Sequence, residues 1–175
     1  SSLAIQESIP SSTKVILVED NDNLRAYIQL IISDKYQVIS AENGRVAWEL
    51  LTLNDEHSKK PSSGDHLPDL IISDIMMPEM DGYQLLEKLK SADKLRGIPI
   101  IMLTALAELK DKLKALRIGV DDYMTKPFEE EELKARIDNL LLNYYRRRQY
   151  RQELRVEMES KTEAFIAKPT SRKKQ

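Results

Sequence analysis

The chain has 175 residues, 41% of them hydrophobic and 32% charged, with a formal net charge of −2; that balance suits one folded domain with tails and argues against a disordered polymer. It holds no cysteine, which removes disulfides, thiol catalysis and thiolate metal sites. No apolar run approaches the roughly 20 residues that cross a bilayer, and nothing resembles a signal peptide.

The chain starts Ser1-Ser2 rather than with Met, so it reads as a segment of a longer, cytoplasmic protein, a membrane-anchored parent being left open. The charge is split: from Leu141 onward there are ten Lys/Arg against four Asp/Glu. Such a basic stretch is more often a solvated helix face than a nucleic-acid contact, and no DNA-reading helix pair lies within these residues.

Residues 1–13 are polar and broken by Pro10-Ser11-Ser12, which reads as a flexible leader. Val15-Ile16-Leu17-Val18 is a short, continuously apolar run, the mark of a strand covered on both faces. Asp22 or Asn23 is a candidate cap for a helix carrying Leu24, Tyr27, Ile28 and Ile31. Tyr36 to Ser40 reads as a second strand, Asn43-Gly44 as a turn, and Val46, Ala47, Leu50 and Leu51 as one face of a second helix. Asn54 to Leu67 is polar and reads as a long surface loop; its His57 and His66 lack metal-ligand geometry. Leu70 to Ser73 is the third strand, followed by a helix over Tyr83 to Leu89. Ile98 to Leu103 is the fourth strand, with Pro99 near its start. A helix over Glu108 to Arg117 closes at Gly119, Asp122 to Thr125 is a short fifth strand, and a last helix starts near Glu129.

Strands alternating with helices mean an α/β, doubly wound parallel sheet with helices on both faces. Right-handed crossovers bring every strand's C-terminal end to one edge. There the strands end on Glu19-Asp20, Asp74, Thr104 and, just beyond the fifth, Lys126. Each alone is unremarkable, since a strand-end aspartate is usually a cap or a turn residue. Together, three carboxylates repel one another unless a cation intervenes. A hard divalent ion with oxygen ligands, Mg2+ foremost, resolves that conflict and keeps open positions. With a lysine and a hydroxyl it forms a receptacle for phosphoryl oxygens, and Asp74 is the candidate nucleophile.

The stretches ILVEDN (16–21), LIISDIMMPEMDG (70–82), IIMLTA (100–105) and GVDDYMTKPF (119–128) resemble the receiver domains of two-component response regulators, over about residues 14–142. The resemblance implies a five-stranded flavodoxin-like sheet of order 2-1-3-4-5. It implies that Asp74 takes a phosphoryl group from a histidine kinase or a histidine phosphotransfer domain. Asp20 and Asp74 would ligate Mg2+ directly, Glu19 through water, and Met76 through its backbone carbonyl. Thr104 and Lys126 would hold the phosphoryl group, Lys126 aimed by a cis bond to Pro127. Tyr123 would be the switch aromatic, rotating inward after phosphorylation to reshape the face of the fourth helix, fifth strand and fifth helix for a downstream output domain. Lys112, Asp122, Glu132 and Arg136 on that face match positions of cross-dimer ion pairs in transcription-factor receivers, whereas Asn143 departs from the pattern; a phosphorylation-promoted homodimer is the expectation there. The receiver itself would not bind nucleic acid. The resemblance also implies a bacterial signalling protein, either a stand-alone regulator or part of a hybrid sensor kinase.

A Mg2+-dependent aspartyl-phosphate phosphohydrolase is the alternative, but it needs an aspartate two residues after the nucleophile, where Met76 stands. A flavin-binding domain would want a hydroxyl-rich loop where EDND stands. A degenerate receiver used only for contacts conflicts with the complete acidic, hydroxyl and lysine set. Met77 reads as core. Residues 143–160 continue the helical pattern near a/d spacing, interrupted by Arg147 and Arg151, so both a signalling helix and a solvated tail fit. Residues 161–175 are expected to be disordered.

Overall fold

Apolar runs too short for a buried helix and rich in isoleucine and valine build the middle of the sheet. A computed structural model describes residues 9–52 and 67–167. The elements alternate: β1 (Lys14–Val18), α1 (Asp22–Ile32), β2 (Gln37–Ala41), α2 (Gly44–Thr52), β3 (Leu70–Ser73), α3 (Gly82–Ser91), β4 (Ile100–Thr104), α4 (Leu109–Ile118), β5 (Asp122–Thr125) and α5 (Glu130–Ile166). All strand pairs are parallel, in the order β2-β1-β3-β4-β5, as expected.

Successive side chains of a strand point to opposite faces, so each central strand feeds two cores. Ile16, Val18, Ile71, Ile100 and Met102 pack with Ala47, Leu51, Leu86, Leu89 and Ala115 of α2, α3 and α4. Val15, Leu17, Leu70, Ile72, Ile101 and Leu103 pack with Ile28, Ile32, Leu133, Ile137 and Leu141 of α1 and α5. Met77 packs against the first core, in line with its expected role.

Several boundaries differ from the sequence reading, each for a local reason. The cap of α1 is Asn21, not Asp22 or Asn23: its side chain accepts from Leu24 N at 2.9 Å, leaving Asp22 inside the first turn. The third helix begins at Gly82 because Asp81 and Gln84 form a reciprocal capping box. The fourth strand begins at Ile100, after Pro99. Gly119 closes α4 at φ 122°, a left-handed position where only glycine is unstrained.

The described residues nearest the two ends are more ordered than expected. Ile9 packs against the second core, and Thr13 is buried, its hydroxyl 2.7 Å from Pro10 O. No break occurs at Leu142, since α5 runs unbroken to Ile166 and so includes residues 161–166 expected to be disordered. Tyr145 is half-buried and shares a 3.0 Å hydrogen bond with Thr13 Oγ1; from Arg146 the helix is exposed. Ion pairs one turn apart, Arg155–Glu159 at 3.0 Å and Lys161–Glu157 at 2.6 Å, line that exposed stretch. Most of the expected loop, with His57 and His66, and the last residues from 168 lie outside the described residues. Among the described residues no helix is long and apolar enough to cross a membrane.

Candidate functional site

Register decides which strand ends stand side by side. Val18 of β1 pairs with Ser73 of β3, so Glu19 and Asp74 leave the sheet abreast, and Asp74 N donates to Val18 O at 2.9 Å. Thr104 of β4 pairs with Thr125 of β5, and Lys126 N donates to Thr104 O at 2.8 Å. The residues picked from sequence thus meet at one edge, brought there by four strands.

Glu19, Asp20 and Asp74 each offer a carboxylate oxygen, and these oxygens lie within 4.8 Å of one another. Glu19 is 2% exposed and Asp74 7%, whereas Asp20 is exposed. Lys126 Nζ bridges the two buried members, 2.6 Å from Glu19 Oε2 and 2.8 Å from Asp74 Oδ2. Burial pushes the Glu19 pKa up; the Lys126 hydrogen bond opposes that shift, and the charge of Asp74 adds to it. Burial pulls the Lys126 pKa down, but its hydrogen bonds to Asp74 and Glu19 outweigh burial and hold it above the ordinary lysine value. One ammonium among three carboxylates leaves an excess of negative charge. An all-oxygen donor set with that excess fits a hard divalent cation such as Mg2+.

The other oxygens of the two buried carboxylates are anchored. Asp74 Oδ1 accepts from Ile75 N at 2.6 Å, and Glu19 Oε1 from Asn21 N at 3.1 Å. Met76, two residues beyond Asp74, is 62% exposed, and the Lys126–Pro127 bond is cis. Gly82 lies against the backbone of Asp74 and Ile75, leaving no room for a Cβ, which explains the glycine in the Asp81-Gly82 turn.

Thr104 and Tyr123 are connected through a residue the sequence did not single out. Leu106 N donates to Thr104 Oγ1 at 3.3 Å, and the Tyr123 hydroxyl donates to Leu106 O at 2.6 Å. Both side chains are buried, so Tyr123 already points inward, where a satisfied hydroxyl makes its burial cheap. No sequence signal marks Leu106, because it takes part through its backbone. On the neighbouring face Arg136 pairs with Asp122 at 2.8 Å and Glu132 at 2.9 Å within the same chain, and Lys112 lines the same groove as Tyr123, Glu132 and Arg136.

The family described as response regulator receiver domain matches residues 15–138. The response regulator Rre1 of a Synechocystis strain is 36% identical over 129 residues, which cover 73% of this chain and 51% of that protein. The hybrid signal transduction histidine kinase D of Dictyostelium discoideum is 38% identical over 136 residues, 78% of this chain and 8% of that protein. The chain therefore spans about half of the first and a small part of the second. Among solved structures, the signal receiver domain of a signal transduction histidine kinase from Syntrophus aciditrophicus is similar at 37% identity and a TM-score of 0.64, covering 74% of this chain and 90% of that one.

Proposed function

The chain belongs to the response regulator receiver family, and from that premise we propose that Asp74 is its phospho-acceptor, charged by a phosphohistidine on a histidine kinase or a histidine phosphotransfer domain. A receiver is a phospho-accepting signalling module, not a turnover enzyme. One observation carries the choice of Asp74: of the two carboxylates that Lys126 Nζ contacts, Glu19 at 2.6 Å and Asp74 at 2.8 Å, Asp74 is the one that follows β3, the central strand, with Asp20 and Glu19 of the acidic cluster gathered beside it.

In the transfer, a bond forms from an Asp74 carboxylate oxygen to phosphorus as the phosphorus–nitrogen bond to the donor imidazole breaks. The electron pair leaves with that nitrogen, which then takes up a proton. Asp20, Asp74 and the Met76 carbonyl would hold Mg2+, with Glu19 acting through water. When bound, Mg2+ offsets negative charge on the phosphoryl oxygens, and catalysis of this kind rests on positioning and neutralisation. Lys126, now shared between Glu19 and Asp74, supplies a second cation to the transferred group. The Thr104 hydroxyl, bonded only to Leu106 N among the described residues, supplies a donor.

The same groups would aid hydrolysis of the acyl phosphate, with Met76 flanking the approach of water. Drawing Thr104 toward the phosphoryl group loosens its hold on Leu106, the residue that also holds Tyr123. That shared residue couples the site to the face of α4, β5 and α5, the surface offered to an output domain or a second copy of the chain. The reading carries with it a cytoplasmic location, where phosphohistidine donors are made from ATP.

Incubation with acetyl phosphate and Mg2+ tests the assignment. The wild-type mass rises by one phosphoryl group and Asp74→Asn gains none; equal labelling of that variant overturns the choice of residue.

A further inference from the structure

Asp20 presents a puzzle of aim. Its carboxylate is a third of the acidic cluster, yet it is exposed and no hydrogen bond or ion pair holds it among the described residues. A free side chain on an exposed loop samples several rotamers, so its direction is decided by the two peptide planes that flank it. Both are pinned. The plane after it is held by Asn21 N, which donates to Glu19 Oε1 at 3.1 Å. The plane before it is held by Arg25, whose Nη1 donates to Glu19 O at 2.7 Å.

Arg25 is itself oriented. Its Nη2 donates to Asp22 Oδ1 at 2.6 Å, and its side chain is 20% exposed. The planar fork thus spends one nitrogen on the carbonyl and the other on Asp22, a division a single ammonium cannot copy.

We propose that Arg25 is a positioning residue for divalent-cation binding, clamping the Glu19 carbonyl so that Asp20 faces Asp74. The proposal rests on the reading of the acidic cluster as a Mg2+ site. It makes a prediction whose sign opposes simple electrostatics. A cation beside a metal site repels the metal, so if Arg25 acted through charge alone its removal would tighten Mg2+ binding. If it acts by positioning, removal weakens binding. Groups that orient metal ligands typically govern ten- to a hundredfold in affinity, and Arg25 acts on one ligand of several, so about tenfold is expected.

Isothermal calorimetry with Mg2+ on wild type, Arg25→Ala, Arg25→Met and Asp20→Asn is the test, each variant also melted without metal. Arg25→Met keeps the apolar stem and serves if the alanine variant fails to fold. The expected result is a roughly tenfold weaker dissociation constant for both Arg25 variants and loss of measurable binding for Asp20→Asn. A role confined to holding α1 together would lower the melting midpoint and leave the dissociation constant alone. Unchanged or tighter Mg2+ binding in folded Arg25 variants overturns the positioning role while leaving the site intact. Undisturbed binding by Asp20→Asn, or none by wild type, overturns the metal site itself.

Discussion

Lys126 Nζ lies 2.6 Å from Oε2 of Glu19, a carboxylate only 2% exposed. The lysine therefore serves the resting protein as well as the phosphoryl transfer proposed for it. Breaking a buried pair strands a charge, so Lys126→Met lowers stability by about 3 kcal/mol at neutral pH. The Glu19 pKa is raised, so the proton returns to it as pH falls toward the carboxylate range, and the deficit of the variant shrinks there. Urea unfolding of both proteins at stepped pH, without divalent ions, checks this; a deficit independent of pH contradicts it.

Asp20 contributes repulsion and receives no hydrogen bond among the described residues in return. Asp20→Asn is expected to melt slightly above wild type in chelator, by a few tenths to about 1 kcal/mol, the usual trade between a functional charge and stability. Adding Mg2+ then stabilises wild type by about 2.7 kcal/mol at a hundredfold excess over its dissociation constant and leaves the variant unmoved. Thermal melts across a Mg2+ titration measure both effects.

Gly82→Ala tests how closely α3 approaches the site. The added Cβ would overlap the carbonyl oxygen of Asp74 and stand 2.7 Å from Ile75 Cα, and neither backbone atom can yield without moving the acidic cluster. The expected cost exceeds about 3 kcal/mol, with labelling by acetyl phosphate reduced in whatever fraction folds. Alanine tolerated within 0.5 kcal/mol or so would mean that the turn relaxes freely.

Tyr123 ties stability to alkaline pH. Burial, followed by the charges of Tyr83, Asp111 and Asp74, pushes its phenol up to about 12 from 10.0. A raised pKa contributes stability that is complete below 10 and lost as pH climbs through 12. Tyr123→Phe removes the bond to Leu106 O, costing about 1 kcal/mol, and flattens the fall in stability between pH 10 and 12. Denaturant midpoints across that range decide it.

Much of the fold was legible because parallel sheets buried on both faces write themselves as unbroken apolar runs, as at Val15–Val18 and Leu70–Ser73. The site was legible because its members occupy strand ends, which sequence spacing locates. The cap at Asn21 was misplaced by one or two residues, since Asn21, Asp22 and Asn23 have similar capping chemistry and only the backbone chooses among them. Arg25 and Leu106 were missed for a related reason: one acts on a carbonyl and the other through its own backbone, and backbone contacts leave no mark on residue type.

By itself the amino-acid order determined the alternation of strands and helices, the identities of the three carboxylates, the lysine and the hydroxyl, and the order in which the chain delivers them. Those are matters of local periodicity and side-chain chemistry. Only the tertiary structure decided that Lys126 divides itself between Glu19 and Asp74, that Tyr123 and Thr104 are joined through the backbone of one residue, Leu106, and that Tyr145 on α5 is tied back to Thr13 just before β1. Each depends on register and on distances between residues far apart in the chain, and those are settled by packing two cores against one sheet.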